Sequence, residues 1–233
     1  MELVLFSSPV GAEWDDSRIQ IAMAERNVRE VSTNALPCLL AWINYEPSSM
    51  KLRFQSWMRS LAGTWIGARV PRTLYTDQAA KRAALACVGF EVLGPKANAA
   101  IPRLKKLAQQ TVRPRSADRA AWALSRIGPD GLSASFSLLS DSNCPSRPAI
   151  AMALAHLSQS LDFDKTNLAP AIPLLTQCAT SSDPDLTNAA AYALRAISPG
   201  HGAIATVAPI YGAVQPGMTK RMKRIRSETS WIP

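Results

Sequence analysis

Histidine is nearly missing from this chain: only His156 and His201 occur in 233 residues. With so few, a Ser/His/Asp or Cys/His site has no visible partner set. The four cysteines, Cys38, Cys87, Cys144 and Cys178, form no Cys-x-x-Cys pair, so neither zinc-ligand spacing nor a redox motif is present. Cys38, Cys87 and Cys178 fall in apolar helical surroundings, where a thiol acts as a small hydrophobe. Cys144, in Asp-Ser-Asn-Cys-Pro, is expected in a loop. That pattern fits a reducing compartment rather than a disulfide framework. Gly-x-Gly-x-x-Gly, the P-loop and His-Glu-x-x-His are all absent. The paired acids Asp162/Asp164 and Asp183/Asp185 lack the ligand number and glycine turn of a calcium loop, and Asp183 reads as a helix cap. The expectation is of a protein that is not an enzyme, with no catalytic residues, no metal site and no cofactor.

Long apolar runs are missing too. No stretch approaches the roughly 18 consecutive apolar residues of a transmembrane helix. The start, Met1-Glu2-Leu3-Val4-Leu5-Phe6, has no basic n-region and too short an apolar run for a signal peptide, so the cytoplasm is the expected location. Aromatic residues are only 6% of the chain, against 47% hydrophobic overall. Alanine and aliphatic residues make up the difference, which favours small, closely packed helices.

What is present is a recurring helical stripe. In Arg119-Ala120-Ala121-Trp122-Ala123-Leu124-Ser125-Arg126-Ile127-Gly128-Pro129, residues Ala120, Ala123, Leu124 and Ile127 stand at i, i+3, i+4 and i+7. Gly128-Pro129 then reads as a helix stop. The same stripe occurs in Ala86, Gly89, Phe90 and Leu93 before Gly94-Pro95, in Ile150, Ala153, Leu154 and Leu157, and in Ala190, Ala193, Leu194 and Ile197 before Ser198-Pro199. After each comes a second helix: Ala99–Leu107, Leu132–Leu139, one holding Ala171–Leu175, and one holding Ile204–Tyr211. Pro102, Pro173 and Pro209 mark three of their starts, where the first-turn amide lacks an internal partner anyway.

Upstream the pattern is looser. Asp15-Asp16-Ser17 opens a first helix reaching about Val31, Thr33-Asn34 caps a second over 35–43, and Met50 to Leu61 makes a third with Phe54, Trp57, Met58 and Leu61 as its stripe. Trp42, Trp57 and Trp122 are expected as packing residues, and His156 in a partly buried structural position. Residues 1–16 read as an irregular segment, 62–76 as a long loop, and 214–233 as a basic tail beyond a helical region of 17–213. Helix–turn–helix units with a period near 35 are the mark of an α-solenoid. The expected fold is all-α: a right-handed solenoid of about five helix pairs.

The charge is unevenly placed. Net charge is +9, yet residues 51–126 hold 15 Lys and Arg against 3 Asp and Glu, whereas residues 1–50 hold 3 against 7. Such asymmetry marks either a solvated helical surface or a site for a polyanion. The candidate binding residues are Arg103, Lys105 and Lys106 on a second helix, with Trp65, Arg69 and Arg72 in the long loop. Lys81, Arg82, Arg113, Arg115, Arg119 and Arg126 lie close in sequence and extend the candidate groove. The remaining second helices carry no Lys or Arg, so the basic face spans one repeat.

The units Ala86 to Pro95, Arg119 to Pro129 and Asn188 to Pro199, each followed by an Ala-x-Pro-like helix, resemble short HEAT-type repeats of the bacterial lyase-like subclass. The likeness covers about 77–212 well and 17–61 loosely. It implies a helical superhelix and a habit of binding macromolecules, not a reaction. The expected role is a scaffold for a protein partner. The alternative is a nucleic-acid binder with a basic groove like that of HEAT-like DNA glycosylases, and a bilin-lyase relative is a third reading that rests on the repeat name alone.

Overall fold

Among the described residues there is no strand. The computed structural model describes residues 26, 28–61, 77–160 and 163–198. Helical backbone at 28–31 runs into a 3-10 turn, Ser32–Ala35, and then into α1, Leu36–Ile43. The helices that follow are α2 (Ser49–Leu61), α3 (Gln78–Leu93), α4 (Ile101–Ala108), α5 (Pro114–Arg126), α6 (Pro129–Ser140), α7 (Arg147–Leu157), α8 (Ala171–Ala179) and α9 (Pro184–Ile197). The expected segments 1–16, 62–76 and 214–233, and the helix around Ile204–Tyr211, lie outside the described residues.

The helices are cut to length by local chemistry. Asp77 caps α3 by accepting from the amides of Ala79 and Ala80 (3.1 and 3.2 Å), and Asp183 caps α9 by accepting from the Asp185 amide (3.0 Å). Thr33 and Asn34 do not cap α1 as expected, because the 3-10 turn feeds it directly without a side-chain cap. Gly128 has φ +120°, which a residue with a Cβ rarely adopts. A Cβ there would also sit 3.5 Å from Pro95 Cγ, so the Gly94-Pro95 and Gly128-Pro129 turns lie against each other. Each Gly-Pro pair starts the next helical segment as well as ending the last: Pro129 lies in the first turn of α6. The second helix is accordingly longer than the expected Leu132–Leu139.

All four regular stripes are buried. Ala86, Phe90, Leu93, Ala120, Ala123, Leu124, Ile127, Ile150, Ala153, Leu154, Leu157, Ala190, Ala193, Leu194 and Ile197 belong to one continuous core. The first helices of the units pack in chain order, α3 on α5, α5 on α7 and α7 on α9, while α4 and α6 and then α6 and α8 pack beside them. Helix α5 is buried all round from Ser116 to Ser125, as a helix enclosed on every side must be. Its alanines let neighbouring backbones approach closely. Polar rungs also join successive units. Lys105 Nζ donates to Ser137 Oγ (3.0 Å), Gln109 Nε2 to Asp141 Oδ2 (3.4 Å) and Asn98 Nδ2 to Asp130 Oδ2, each pair 32 residues apart.

Helix α2 departs from the pattern. Phe54 and Trp57 are 49% and 57% exposed, and Met50 is 80% exposed. The sequence spacing is that of a core stripe, but α2 has no extensive packing against another described helix. A stripe is buried only when a second element covers it, and here Trp57 is not the packing residue expected. What ties α2 to the body is polar: Lys51 Nζ lies 2.9 Å from Asp77 Oδ1 and donates to Tyr45 Oη (2.9 Å), whose hydroxyl donates to Asp77 Oδ2 (2.9 Å). Burial alone would raise the Asp77 carboxyl, yet Lys51, Tyr45 and the Ala80 amide together hold it below its usual range.

A line of tilted rings crosses α5, α7 and α9. Trp122 on α5 lies 5.1 Å from His156 on α7, and His156 lies 6.4 Å from Tyr192 on α9, centroid to centroid. Burial, with the nearby Arg126 charge, lowers the His156 pKa from 6.5, so the fold holds imidazole neutral, in the partly buried position expected of it. The unfolded chain then binds more protons than the native one below about pH 6.5, and stability falls as pH drops through that region. Lowering the pH from 7.5 to 5 is expected to reduce Tm in the wild type more than in His156→Gln. Equal losses, read by thermal melts of both proteins at both pH values, would remove His156 as the cause.

Candidate interaction groove

Helix α4 turns Leu104, Leu107 and Ala108 into the core. The helical period therefore turns Arg103 and Lys106, three residues apart, toward solvent on one face. Facing them is the end of α1, with Leu40 and Asn44. The connection after α4 closes the far side with Thr111, Val112 and Arg113. The result is an open groove of about 680 Å³ lined by these residues with Leu107, Gln109 and Gln110. Its wall is mixed: Leu40 and Leu107 are nearly buried, at 8% each, and Val112 is 88% exposed. Arg113 Nη1 donates to Asn44 Oδ1 (2.9 Å), which ties the two sides together across 69 residues of chain.

The groove has three cations, Arg103, Lys106 and Arg113, and no acidic residue in its lining. Gln109 marks its boundary, since its amide reaches Asp141 at the end of α6. The lining offers positive charge, amide groups and apolar contacts. It contains no Asp, Glu, His, Cys or Tyr to act as a general base. Among the described residues, no three His, Cys, Asp or Glu side chains gather as metal ligands, and no helix is long and apolar enough to cross a membrane.

The candidate residues separate in space. Arg103 and Lys106 share the groove, as their spacing implies. Lys105 does not: it is half-buried on the side facing α6 and bonded to Ser137. Trp65, Arg69 and Arg72 lie outside the described residues. Of the residues that sequence proximity added to the groove, Arg113 lines it, whereas Lys81, Arg82, Arg115, Arg119 and Arg126 do not. Arg119 is 8% exposed, with Nη2 donating to the Tyr45 carbonyl (2.6 Å) and Nε to the Arg115 carbonyl (3.1 Å). Arg126 stacks 5.5 Å over the Trp122 ring and pairs with Glu91. Both guanidinium groups are held within the helix stack and not at the groove, the Arg126 side chain being 7% exposed. Asn44 was not visible as a groove residue in the sequence. Nothing local in Ala41-Trp42-Ile43-Asn44 signals Arg113 as its neighbour.

None of the four cysteines is in a disulfide, and Cys87, Cys144 and Cys178 are buried while Cys38 is half-buried. Cys144 lies in the turn between α6 and α7, as expected of a loop residue, but is 4% exposed because the turn folds against Ala108, whose carbonyl accepts from Ser146 Oγ (2.7 Å). No family model matches the chain, and no curated protein matches it either.

Proposed function

We propose that the chain is a HEAT-like solenoid that serves as a non-enzymatic scaffold, using the groove between α1 and α4 to hold a protein partner. The chain-order packing of α3, α5, α7 and α9, with a stripe recurring near every 35 residues, supports the repeat reading. The observation that carries the function is the groove itself, in which Arg103, Lys106 and Arg113 meet apolar Leu40, Leu107 and Val112 without a carboxylate in the lining. That mixture suits a short acidic segment with an apolar anchor. Four cysteines without a disulfide are in keeping with work in a reducing compartment such as the cytoplasm.

Nucleic acid is the second reading, favoured by the same three cations. Magnitude counts against it. Three phosphate contacts give a salt slope of about −2.7, so affinity would fall roughly fortyfold between 50 and 200 mM salt, from a weak starting point. The basic face also stops at the Gln109–Asp141 rung instead of continuing onto α6.

Affinity capture from the native host, with and without nuclease, tests the reading when run beside Arg103→Glu/Lys106→Glu. The double variant is expected to keep the wild-type Tm, since both side chains are exposed, and to lose a partner whose capture resists nuclease. Tight, nuclease-sensitive capture abolished by the same pair would establish the nucleic-acid reading instead. Base-excision activity in the purified chain would overturn the scaffold altogether.

A further inference from the structure

The α1–α4 groove carries positive charge that the described fold leaves unbalanced. Neither Arg103 nor Lys106 pairs with a carboxylate among the described residues, and Arg113 meets the neutral amide of Asn44. The chain itself holds a segment of opposite charge. Residues 1–25 contain 5 Asp and Glu against 1 Arg, and three of those acids flank one large aromatic in Glu13-Trp14-Asp15-Asp16. Other acid-rich stretches are engaged elsewhere. Phe163 packs against the core and Asp164 caps a 3-10 turn, while Asp183 caps α9.

Chain length permits the contact. The helix expected over 17–31 would rise about 21 Å, and the stretch from Ser32 to Asn44 rises about 20 Å. Ser32 takes a φ of +52°, the left-handed conformation that ends a helix, and Val28 and Val31 pack against the core. A reversal at that turn would set Asp15 and Asp16 level with Asn44, at the α1 wall of the groove.

We propose that the chain's own segment 13–16 occupies the α1–α4 groove, and that a protein partner must displace it. Its carboxylates face Arg103, Lys106 and Arg113, and Trp14 lies on Leu40, Leu107 and Val112. The inference rests on the groove being the binding site proposed above, and it names what regulates that site. An acidic segment of another protein has the same chemistry, but the tethered one acts at an effective concentration on the order of mM. Segment 220–233, with 5 Lys and Arg against 1 Glu, is repelled by the lining. Nucleic acid would leave Leu40 and Leu107 without an apolar contact. Helix α2 is the rival site for the acidic segment, but its Lys51 is already paired with Asp77 and bonded to Tyr45.

The test is carbodiimide cross-linking of the full chain, which joins a carboxylate to a lysine amine only where the two touch, followed by peptide mass spectrometry. A cross-link from Asp15 or Asp16 to Lys106 is expected within the monomer, with a yield that falls as salt rises. Lys106→Arg keeps the charge and should remove that cross-link. Asp15→Lys/Asp16→Lys should speed amide hydrogen exchange over residues 109–113 at least about threefold. Adding Arg103→Glu/Lys106→Glu to that variant should slow the exchange again, because the charges are then swapped. The wild-type cross-link needs no variant to fold. Its absence, its appearance only between chains, or its formation at Lys51 in place of Lys106 would overturn the proposal, and so would exchange that Asp15→Lys/Asp16→Lys leaves unchanged. Partner capture separates this proposal from the scaffold reading. Asp15→Lys/Asp16→Lys is expected to raise capture at least about threefold, whereas Arg103→Glu/Lys106→Glu should lose it. Capture lost in the groove variant without any cross-link to Lys106 would leave the scaffold standing and sink the tethered occupant. The cross-link without a captured partner would do the reverse.

Discussion

Gly131→Ala is expected to destabilise the protein by about 3 kcal/mol, which for a domain of this size lowers Tm by roughly 6–12 °C. The substitution looks harmless in sequence. Gly131 lies in the first turn of α6 with no positive φ to preserve, and alanine at such a position ordinarily stabilises a helix by about 0.4–1 kcal/mol. Here a Cβ would stand 2.2 Å from the backbone oxygen of Leu124 and 3.0 Å from Ile127 Cβ. No rotamer change relieves a contact with a carbonyl oxygen, so α5 and α6 must move apart. The two expectations have opposite signs, and a chemical or thermal melt decides between them. A neutral or stabilising Gly131→Ala would show that the helices do not cross this closely.

Leu124→Ala should cost roughly 2–5 kcal/mol, the sum of lost burial and the cavity left behind. Leu124 is fully buried on α5, in the middle of the stack formed by α3, α5 and α7. Collapse around the cavity is limited, because Ala120, Ala121 and Ala123 beside it have no longer side chain to swing in. Met50→Ala, at an 80% exposed position, serves as the control and should change stability by less than about 0.5 kcal/mol. Leu124→Ala should not rescue Gly131→Ala, because the obstructing atom is the Leu124 carbonyl oxygen, which the substitution retains. A loss below about 1 kcal/mol for Leu124→Ala would place this stripe at the surface and remove the basis for the helix pairing.

The groove was legible in the sequence only in part. Arg103 and Lys106 were legible as one face because both sit on a single helix, and helical geometry relates residues three apart whatever surrounds them. Arg113 was visible only as a nearby basic residue. Its pairing with Asn44 crosses 69 positions, a separation over which no periodicity carries information. Lys105, adjacent to both candidates, points toward Ser137 because one step along a helix is about a 100° turn. Charge density along the chain therefore overstated the groove: Lys105, Arg119 and Arg126 all contribute to it in sequence and none lines it in space.

The Trp122, His156 and Tyr192 stack shows the same division. Trp122 and Tyr192 stand two residues after the starts of their stripes and His156 stands six after its own, so no repeated motif announced a contact. Stacking brings them together because α5, α7 and α9 pack side by side in order.

The sequence by itself determined the helical class, the boundaries near Gly94-Pro95, Gly128-Pro129 and Asp183-Pro184, and which side of each regular helix is apolar. These follow from nearest-neighbour chemistry: a 3.6-residue period, a cap that accepts from the next turn, a proline that cannot donate. The tertiary structure alone decided which apolar stripes are covered. Phe54 and Trp57 have the spacing of Ala120 and Ala123, yet one pair is exposed and the other fully buried. It also decided that Gly131 must remain a glycine, and that Arg113 meets Asn44. Each of these depends on how closely a second helix approaches, a distance set by the shapes of residues far away in the chain and therefore not written in any local pattern.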